Sequence, residues 1–259
     1  MSVRRSLEGD LLLGGSPLFV GTRDELVDCL DSWSRSGTPE LVVTPNVDHA
    51  INLGEDDRYA KVYERAVLRL IDGAPLLWLA RLIGFKNVQK FSGSDLIGIC
   101  ASVALARGWR VVLIGGDSDL CKLALDRLQA SHAYADDTFA ALPVPFLSTP
   151  DAPASRRTIE ELTTLVPSIV FVCLGSPKQE LWFEAWAAHL PPAVYVGAGA
   201  TIEFVAGTKK RAPRIIQILG LEWTWRLALE PHRLWRRYLV KGPRFLPIVV
   251  RSLLERNVK

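Results

Sequence analysis

The sequence predicts an α/β fold with a Rossmann-like, mainly parallel sheet flanked by helices, followed by a C-terminal helical appendage. Three observations support this prediction. Short apolar runs alternate with longer helical patterns, and glycines separate them. The hydrophobic content of 49% is sufficient for a large buried core. The end of the chain also differs in charge from the rest, so we predict an α/β domain over residues 1–206 and a basic, aromatic-rich appendage over residues 207–259.

The first predicted elements are a helix and a strand that ends in polar residues. Residues 23–34 have apolar side chains at helical spacing, and residues 41–43 form an apolar strand pattern that ends in Thr44-Pro45-Asn46. Polar groups directly after a parallel strand lie at the carboxyl edge of the sheet, where open α/β folds bind ligands. Thr44 and Asn46 are therefore candidate binding residues.

An aspartate-glycine pair, Asp72-Gly73, follows the next apolar run. This aspartate has two interpretations: it caps a turn, which is common for Asp before Gly, or it directs a carboxylate into the cleft as a general base. The following segment, VQKFSGSDL, contributes Lys90, a glycine turn and a predicted helix cap within residues 88–96.

Residues 110–120, RVVLIGGDSDL, predict a further strand, a glycine turn and a helix start. Asp117 and Asp119 have the D-x-D spacing of sites that hold a metal and a sugar diphosphate. They also fit a helix N-cap followed by an acidic first turn, which we favour because glycines and a helical pattern surround them. Residues 133–156 are rich in proline and predict a loop that contains one strand.

Residues 169–207 contain two glycine-broken strand ends. The first apolar run, 169–174, ends at Gly175 and continues as Ser-Pro-Lys-Gln-Glu, in which Ser176 and Gln179 have capping-box spacing and Pro177 suits the first helical position. The second strand, 193–196, runs into Gly197-Ala198-Gly199. A helix start of this kind suits a diphosphate. We expect one rim of a binding site here, with these candidate residues: Gly175, Lys178, Gln179, Glu180, Gly197 and Gly199.

Several classes of protein and site are disfavoured by the sequence. Gly197 and Gly199 lack the third glycine of G-x-G-x-x-G, and neither a P-loop nor G-x-S-x-G is present. The four cysteines are widely spaced and match no zinc pattern, so we expect reduced thiols and no metal or other cofactor. The apolar run near the N-terminus is too short for a signal peptide, and no stretch reaches the roughly 18 apolar residues of a membrane-spanning helix. The expected location is cytoplasmic.

The appendage is strongly basic. Residues 207–259 contain 13 Lys and Arg but 3 Asp and Glu, against 18 and 25 in the remainder. Its middle piece places Leu234, Trp235, Tyr238 and Leu239 on one helical face beside several arginines. Such a pattern suits an anionic membrane interface, and we name as membrane-binding candidates Arg233, Trp235, Arg236, Arg237 and Tyr238. Two other interpretations remain: ordinary packing with solvated arginines, and nucleic-acid binding, which the absence of a recognition motif disfavours.

Together, TPNVDH, IDGAPL, FSGSDL, LGSPKQE, VGAGATIEFVAGTKKRAPR and LGLEWTWRLALEPHRLWRRYL resemble the bacterial WecG/TagA/CpsF glycosyltransferase family. The resemblance runs in order over residues 41–246. It implies inverting, metal-independent transfer of a hexose or N-acetylhexosamine from a UDP-sugar to a sugar on a polyprenyl diphosphate at the inner face of the plasma membrane. The product would be a cell-surface or exopolysaccharide. The appendage would bind the membrane peripherally.

The resemblance also implies roles for single residues. Asp72 matches the general base, Thr44 and Asn46 the residues near donor and base, and Gln179 the nucleotide pocket. Arg211 and Arg214 are the nearest matches to arginines of the appendage that complete the site.

Two positions depart from the family pattern, because Lys90 replaces an arginine and Glu203 an aspartate. Lysine keeps the positive charge but lacks the bidentate geometry of arginine.

Two alternative functions are kept: a nucleotide-sugar or anionic-lipid binding module without catalysis, and a nucleic-acid-binding protein. The identity of the sugar and association into a homo-oligomer are left open.

Overall fold

The computed structural model describes residues 1–131, 137–144 and 149–256. Three short N-terminal strands form an antiparallel sheet: β1 (Val3–Arg5), β2 (Leu11–Leu13) and β3 (Ser16–Pro17). Six further strands form the central sheet: β4 (Pro39–Val43), β5 (Leu68–Arg69), β6 (Val111–Ile114), β7 (Phe139–Leu142), β8 (Ile169–Val172) and β9 (Ala193–Gly197). Their order is β5-β4-β9-β8-β6-β7, and all neighbours are parallel. The predicted α/β class with a parallel sheet is confirmed.

The helices of the α/β body alternate with these strands. They are α1 (Arg23–Ser34), α2 (Val47–Glu55), α3 (Asp57–Arg65), α4 (Ala74–Leu82), α5 (Gly93–Arg107), α6 (Ser118–Ser131), α7 (Ser155–Leu165), α8 (Lys178–Trp186) and α9 (Thr201–Val205). The C-terminal segment is also helical, with α10 (Arg214–Ile218), α11 (Glu222–Leu229), α12 (Pro231–Trp235), a π-helical turn (Arg236–Lys241), a 3₁₀ turn (Gly242–Phe245) and α13 (Leu246–Arg256).

The central sheet buries both of its faces. Because side chains alternate along a strand, Ile169 and Phe171 of β8 pack on one side with α1, α5, α6 and α9, whereas Val170 and Val172 pack on the other with α3, α7 and α8. Burial on both faces explains why the strands are continuous apolar runs. Ligands can therefore reach the sheet at its edges and at the ends of its strands.

A third hydrophobic cluster joins the two ends of the chain, which the sequence did not predict. It contains residues of β1, β2, α2 and α4 together with Phe245 and Ile248. The backbone N–H of Val3 donates to Ser252 Oγ at 2.8 Å, across 249 residues. Helix α13 is thus fastened to the N-terminal strands, and the domain boundary at residue 207 stays a prediction.

Two predicted helix caps are confirmed. Ser92 caps α5 in a capping box with Asp95. Asp117 Oδ1 accepts a hydrogen bond from the backbone N–H of Leu120 at 2.8 Å, which is the N-cap interpretation of the D-x-D pattern. The strand predicted within 133–156 is β7. Residues 132–136 and 145–148 lie outside the described residues, so the remainder of that loop prediction stays untested.

The predicted capping box at the start of α8 is wrong. The helix begins at Lys178, and Pro177 precedes its first helical residue. Ser176 Oγ lies 2.9 Å from Tyr59 Oη, and the Gln179 side chain instead reaches the turn after β9. Neither side chain caps the helix, because each forms a hydrogen bond with a neighbouring element inside the fold.

The four side chains that the sequence placed on one face of the middle appendage piece differ in burial. Leu234 is buried and Tyr238 partly buried, while Trp235 and Leu239 are exposed. The buried pair and the exposed pair are each four residues apart, so neighbouring positions along the segment divide between the protein side and the solvent side.

Candidate active site

The carboxyl ends of β4, β5 and β9 bring the first candidate residues together. Thr44 Oγ1 donates to the carbonyl oxygen of Gly197 at 2.8 Å, joining the ends of β4 and β9. The backbone N–H of Asp72 donates to the Pro45 carbonyl at 2.8 Å. Thr44, Asn46, Asp72 and Gly197 therefore lie at one edge of the sheet, as their positions after parallel strands predicted.

A cavity of about 280 Å³ opens at this edge, which we call the carboxylate cavity. One wall comes from the body, and the other comes from the C-terminal segment. The polar lining residues are Asn46, Asp48, Asp72, Glu222, Arg226, Arg237 and Tyr238, and the apolar ones include Ile51, Pro75, Trp223 and Phe245. Seven of these were not among the predicted site residues, and four of the seven are the polar or aromatic residues Asp48, Glu222, Trp223 and Arg226. The quoted GLEWTWR motif was a signal for three of them.

Asp72 is one of three carboxylates that line this cavity, with Asp48 and Glu222. Among the described residues, no donor forms a hydrogen bond to its carboxylate oxygens. Burial raises the pKa of the Asp72 carboxyl above its ordinary value, and the positive charges of Arg226 and Lys90 oppose this effect. A partly desolvated carboxylate with free oxygens can accept a proton from a bound hydroxyl group.

Asn46 lies beside Asp72 and caps α2. Its Oδ1 accepts hydrogen bonds from the backbone N–H groups of Asp48 at 3.0 Å and His49 at 3.4 Å. The cap uses the carbonyl oxygen of the amide, so the amide nitrogen of Asn46 can donate toward the cavity. The rigid helix start holds this group in place.

The appendage is tied to the body by ion pairs around the cavity. Lys90 Nζ lies 2.8 Å from Glu222 Oε1, and Lys241 Nζ lies 2.6 Å from Asp48 Oδ1. Arg237 also faces Asp48, at 3.5 Å, and these cations hold the pKa of Asp48 below its ordinary value although burial acts in the opposite direction. The two carboxylates therefore orient the appendage against the sheet edge.

Of the two arginines that the family resemblance selected, neither lines the carboxylate cavity. Arg211 pairs with Asp95 beside the start of α5, and Arg214 is exposed at the start of α10. Arg226 occupies the cavity wall instead, with its guanidinium 5.3 Å from the centre of the Phe204 ring. No ion-pair partner of Arg226 is found within the described part of the chain.

The predicted residues of α8 lie mainly inside the protein. Gln179 Oε1 accepts from the backbone N–H of Gly199 at 2.9 Å, and its Nε2 donates to Glu180 Oε1 at 2.9 Å. A side chain at Gly197 would collide with the Gln179 amide. Gln179 therefore holds the Gly197–Gly199 turn, whose last residue has φ +55°. Gly175, with φ +76°, forms the turn before α8.

Glu180 is fully buried at the start of α8. Its Oε2 has no hydrogen-bond partner, a situation unique to this atom among the buried side-chain oxygen and nitrogen atoms of the described residues. Burial raises the pKa of Glu180 to about 7. At neutral pH, this side chain is therefore close to its protonation midpoint inside the fold.

This raised pKa predicts a pH-dependent stability difference. Between pH 5 and 7 the folded protein holds a proton on Glu180 that the unfolded chain releases, so the free energy of unfolding falls as pH rises. Relative to wild type, Glu180→Gln should gain about 1.4 kcal/mol per pH unit over this window and level off above it. Denaturant unfolding at pH 5, 6, 7 and 8 measures this difference. The control is Glu184→Gln, at a partly exposed position of the same helix, which should keep the wild-type dependence of unfolding free energy on pH. The prediction is contradicted if the free energies of Glu180→Gln and wild type differ by a constant amount at all four pH values.

A second cleft, which we call the glycine cleft, opens at the same sheet edge between β6, β7 and β8. Its volume is about 960 Å³, and its lining includes Gly116, Asp117, Thr158, Cys173 and Lys178. Strands β6 and β8 are neighbours whose connections leave in opposite directions, which is the usual ligand position in open α/β sheets. Gly115 and Gly116 have positive φ and let the backbone approach a ligand closely.

The five membrane-binding candidates divide into two groups. Arg237 and Tyr238 line the carboxylate cavity. Arg233, Trp235 and Arg236 are exposed; Arg233 lies 2.5 Å from Glu230, and the Arg236 guanidinium lies 5.4 Å from the centre of the Trp235 ring. Throughout the described ranges, every helix is too short or too polar to cross a membrane.

Comparisons with known proteins agree with the sequence motifs. Two curated relatives are each named N-acetylglucosaminyldiphosphoundecaprenol N-acetyl-beta-D-mannosaminyltransferase. The one from Bacillus subtilis is 28% identical over 221 residues, covering 85% of this chain and 81% of its own length. The one from Bacillus spizizenii is 27% identical over 211 residues, covering 82% and 79%. The model of the glycosyl transferase WecG/TagA/CpsF family matches residues 11–259. Because this match spans nearly the whole chain, the protein belongs to the WecG/TagA/CpsF family of glycosyl transferases.

Proposed function

We propose that this protein is an inverting, metal-independent transferase that moves a hexose or N-acetylhexosamine from a UDP-sugar to a sugar on a polyprenyl diphosphate. The product would enter bacterial cell-surface or exopolysaccharide biosynthesis. The observation that carries this proposal is the partly desolvated Asp72 carboxylate, which lines the carboxylate cavity together with Arg226. The names of the two relatives support N-acetylmannosamine as the first donor sugar to test and an N-acetylglucosamine acceptor on a polyprenyl diphosphate.

In the proposed reaction, Asp72 accepts the proton of the acceptor hydroxyl as its oxygen attacks the anomeric carbon of the donor. The bond between that carbon and the UDP oxygen breaks on the opposite face, which inverts the configuration. Negative charge grows on the departing diphosphate, and fixed cations placed there stabilise it. Arg226 supplies this charge, while Asn46 donates to the sugar and Thr44 keeps the ends of β4 and β9 together.

We further propose that the donor lies along the sheet edge, with its uridine in the glycine cleft and its sugar in the carboxylate cavity. From β6 to β4 the sheet order crosses three strand spacings, about 14 Å, comparable to an extended nucleoside diphosphate sugar. Between the two sites lie the turns at Gly175 and Gly197–Gly199, together with the N-terminus of α8, whose positive dipole end favours a diphosphate. Lys178 lines the glycine cleft and adds a positive charge.

The experiment that tests the function measures UDP release from a panel of UDP-sugars in the presence of EDTA. The panel contains UDP-N-acetylmannosamine, UDP-glucose and a UDP-uronic acid, and the acceptor is a short-chain prenyl diphosphate that carries N-acetylglucosamine. We expect turnover with one donor and an acceptor-dependent product. Binding of UDP without turnover of any donor would favour a binding module without catalysis, and loss of activity in EDTA would contradict metal independence.

For its location, we propose a peripheral position on the cytoplasmic face of the plasma membrane. Support comes from the basic appendage and from the exposed group Arg233, Trp235 and Arg236, since indole rings flanked by guanidinium groups suit the headgroup region. The acceptor named for the relatives carries a lipid chain, which also requires access to a bilayer.

Reversing two charges tests this docking. Arg233→Glu together with Arg236→Glu should weaken binding to vesicles of anionic lipid by about 30-fold or more, because each basic residue contributes roughly 1 kcal/mol. Vesicle sedimentation measures the loss. Arg58→Glu with Lys61→Glu, on the exposed surface of α3, is the matched control and should bind like wild type. Unchanged binding of the Arg233/Arg236 variant would refute the docking surface.

A further inference from the structure

Two rows of exposed apolar side chains lie on α4 and α13, two helices that contact each other. On α13 the row is Leu246, Val250 and Leu254, spaced four residues apart; on α4 it is Trp78 and Leu82. Exposed fractions range from 44% to 65%. We call these five side chains the apolar track. The same helices also have a buried face, which includes Leu76, Leu79 and Ile248 and packs in the cluster with the N-terminal strands. The apolar track is therefore additional to the core.

The α13 row lies on the flank of its helix that faces away from the N-terminal strands. Glu255 of α13 accepts a hydrogen bond from Ser2 Oγ, and Ser252 accepts one from the backbone N–H of Val3, so this flank of α13 faces β1. Residues 246, 250 and 254 lie on the opposite flank. Helix α4 contacts both β1 and α13, so the two rows lie on neighbouring helices.

The apolar track begins at the carboxylate cavity. Pro75, in the first turn of α4, and Phe245, directly before α13, both line that cavity. Trp78 and Leu82 follow Pro75 by three and seven residues and so continue its row along the helix. At the other side of the opening, Gly220 packs so closely on Trp78 and Ala74 that an added Cβ would lie 2.5 Å from each. Apolar surface thus continues from the cavity wall to the outside.

The chemistry of the proposed acceptor matches this layout. Its diphosphate and sugar need the polar side of the cavity, formed by Asn46, Asp72 and Arg226, whereas its chain is hydrocarbon and must leave the cavity. The wall beyond Asp48 is charged, because Arg237 and Lys241 lie there. The wall at Pro75 and Phe245 is apolar, and the α13 row extends about 12 Å from it. This second direction offers the chain a surface that favours burial of its methylene groups.

We infer that the protein itself binds the first isoprene units of the acceptor, on the apolar track of α4 and α13, before the chain enters the bilayer. This inference rests on the proposed function and adds a lipid subsite to it. The apolar track selects acceptors by the length of their prenyl chain, and it directs the sugar on the diphosphate toward Asp72. Exposed apolar rows on a surface helix lower the solubility of a protein. Binding of the prenyl chain explains why this protein has them.

The test uses two acceptors with the same N-acetylglucosamine diphosphate and with chains of one or three isoprene units, both below their micelle concentrations and without vesicles. Each buried methylene group strengthens binding by about fourfold. We therefore expect the wild-type KM to be at least about tenfold lower for the three-unit acceptor. Leu82→Ser with Val250→Ser should bring the ratio of the two KM values close to one.

The matched control is Leu105→Ser with Leu123→Ser, two exposed leucines of α5 and α6, which should keep the wild-type KM ratio. A wild-type ratio near one in solution, or a preference for the longer chain that appears only after vesicles are added, would overturn the inference while leaving the transferase function supported. A Leu82/Val250 variant with the wild-type ratio would overturn it as well. Turnover of neither acceptor with any donor would instead refute the proposed function.

Discussion

Replacing Asp72 by asparagine is expected to lower kcat by about 10²- to 10⁴-fold, which is the usual contribution of a positioned general base. Asparagine has nearly the same shape but cannot accept the proton of the acceptor hydroxyl. Because the carboxylate makes no hydrogen bond to described protein groups, its loss leaves little else unpaired in the cavity. The KM for the UDP-sugar should therefore change much less than kcat. Steady-state UDP release over a range of donor concentrations separates the two constants.

The pH dependence gives an independent measurement on the same residue. Burial raises the pKa of the Asp72 carboxyl, so wild-type kcat/KM should fall on the acidic side at a pH above the ordinary range of aspartate. The raised pKa also means that ionised Asp72 disfavours folding at neutral pH. Asp72→Asn should thus be no less stable than wild type, and denaturant unfolding can exclude misfolding as the cause of lost activity.

The control for this variant is Asp119→Asn, the second aspartate of the D-x-D pattern. Asp119 is exposed in the first turn of α6 and should retain wild-type kcat. Full activity of Asp72→Asn would reject the base assignment. A large loss in Asp119→Asn would instead support the metal-dependent D-x-D interpretation that the N-cap geometry of Asp117 disfavours.

Arg226→Gln should lower kcat by about 10²- to 10³-fold, the range expected when one preorganised donor to a developing negative charge is removed. Arg226 is the arginine of the cavity wall for which no ion-pair partner exists in the described ranges, so its charge is available to the diphosphate. Lysine at this position should restore part of the rate, because it keeps the charge but lacks the bidentate geometry. Inhibition by UDP should weaken in parallel, and initial rates with added UDP measure this effect.

Arg251→Gln is the matched control, since Arg251 is an exposed arginine of the same C-terminal segment and pairs with Glu255 on α13. It should keep the wild-type rate and the wild-type inhibition by UDP. Wild-type kinetics in Arg226→Gln would contradict the assignment, and a large loss on replacing Arg211 or Arg214 would return the role to the arginines that the family motifs first indicated.

Local signals accounted for much of the body of the protein. Short sequence patterns predicted the helix over residues 23–34, the strand ends at Thr44 and Asp72, and the caps at Ser92 and Asp117. The antiparallel strands β1 to β3 were missed because each has two or three residues, too few for a periodic pattern. Ser176 and Gln179 have the spacing of a capping box but do not form one, because their side chains form hydrogen bonds with Tyr59 and Gly199 instead.

The sequence by itself determined the parallel α/β class, the family and the position of Asp72 at a carboxyl strand edge, because strand ends follow from local apolar runs and turns. Only the tertiary structure decided which arginine of the C-terminal segment faces Asp72. The motifs that resemble the family contain Arg211, Arg214 and Arg226 alike. The positions of these arginines depend on the path of the C-terminal segment over the sheet edge. Packing of α13 against strands about 250 residues away, as in the 249-residue separation between Val3 and Ser252, fixes this path. Such contacts leave no periodic signal along the chain, so the sequence motifs alone did not distinguish Arg226 from Arg211 and Arg214.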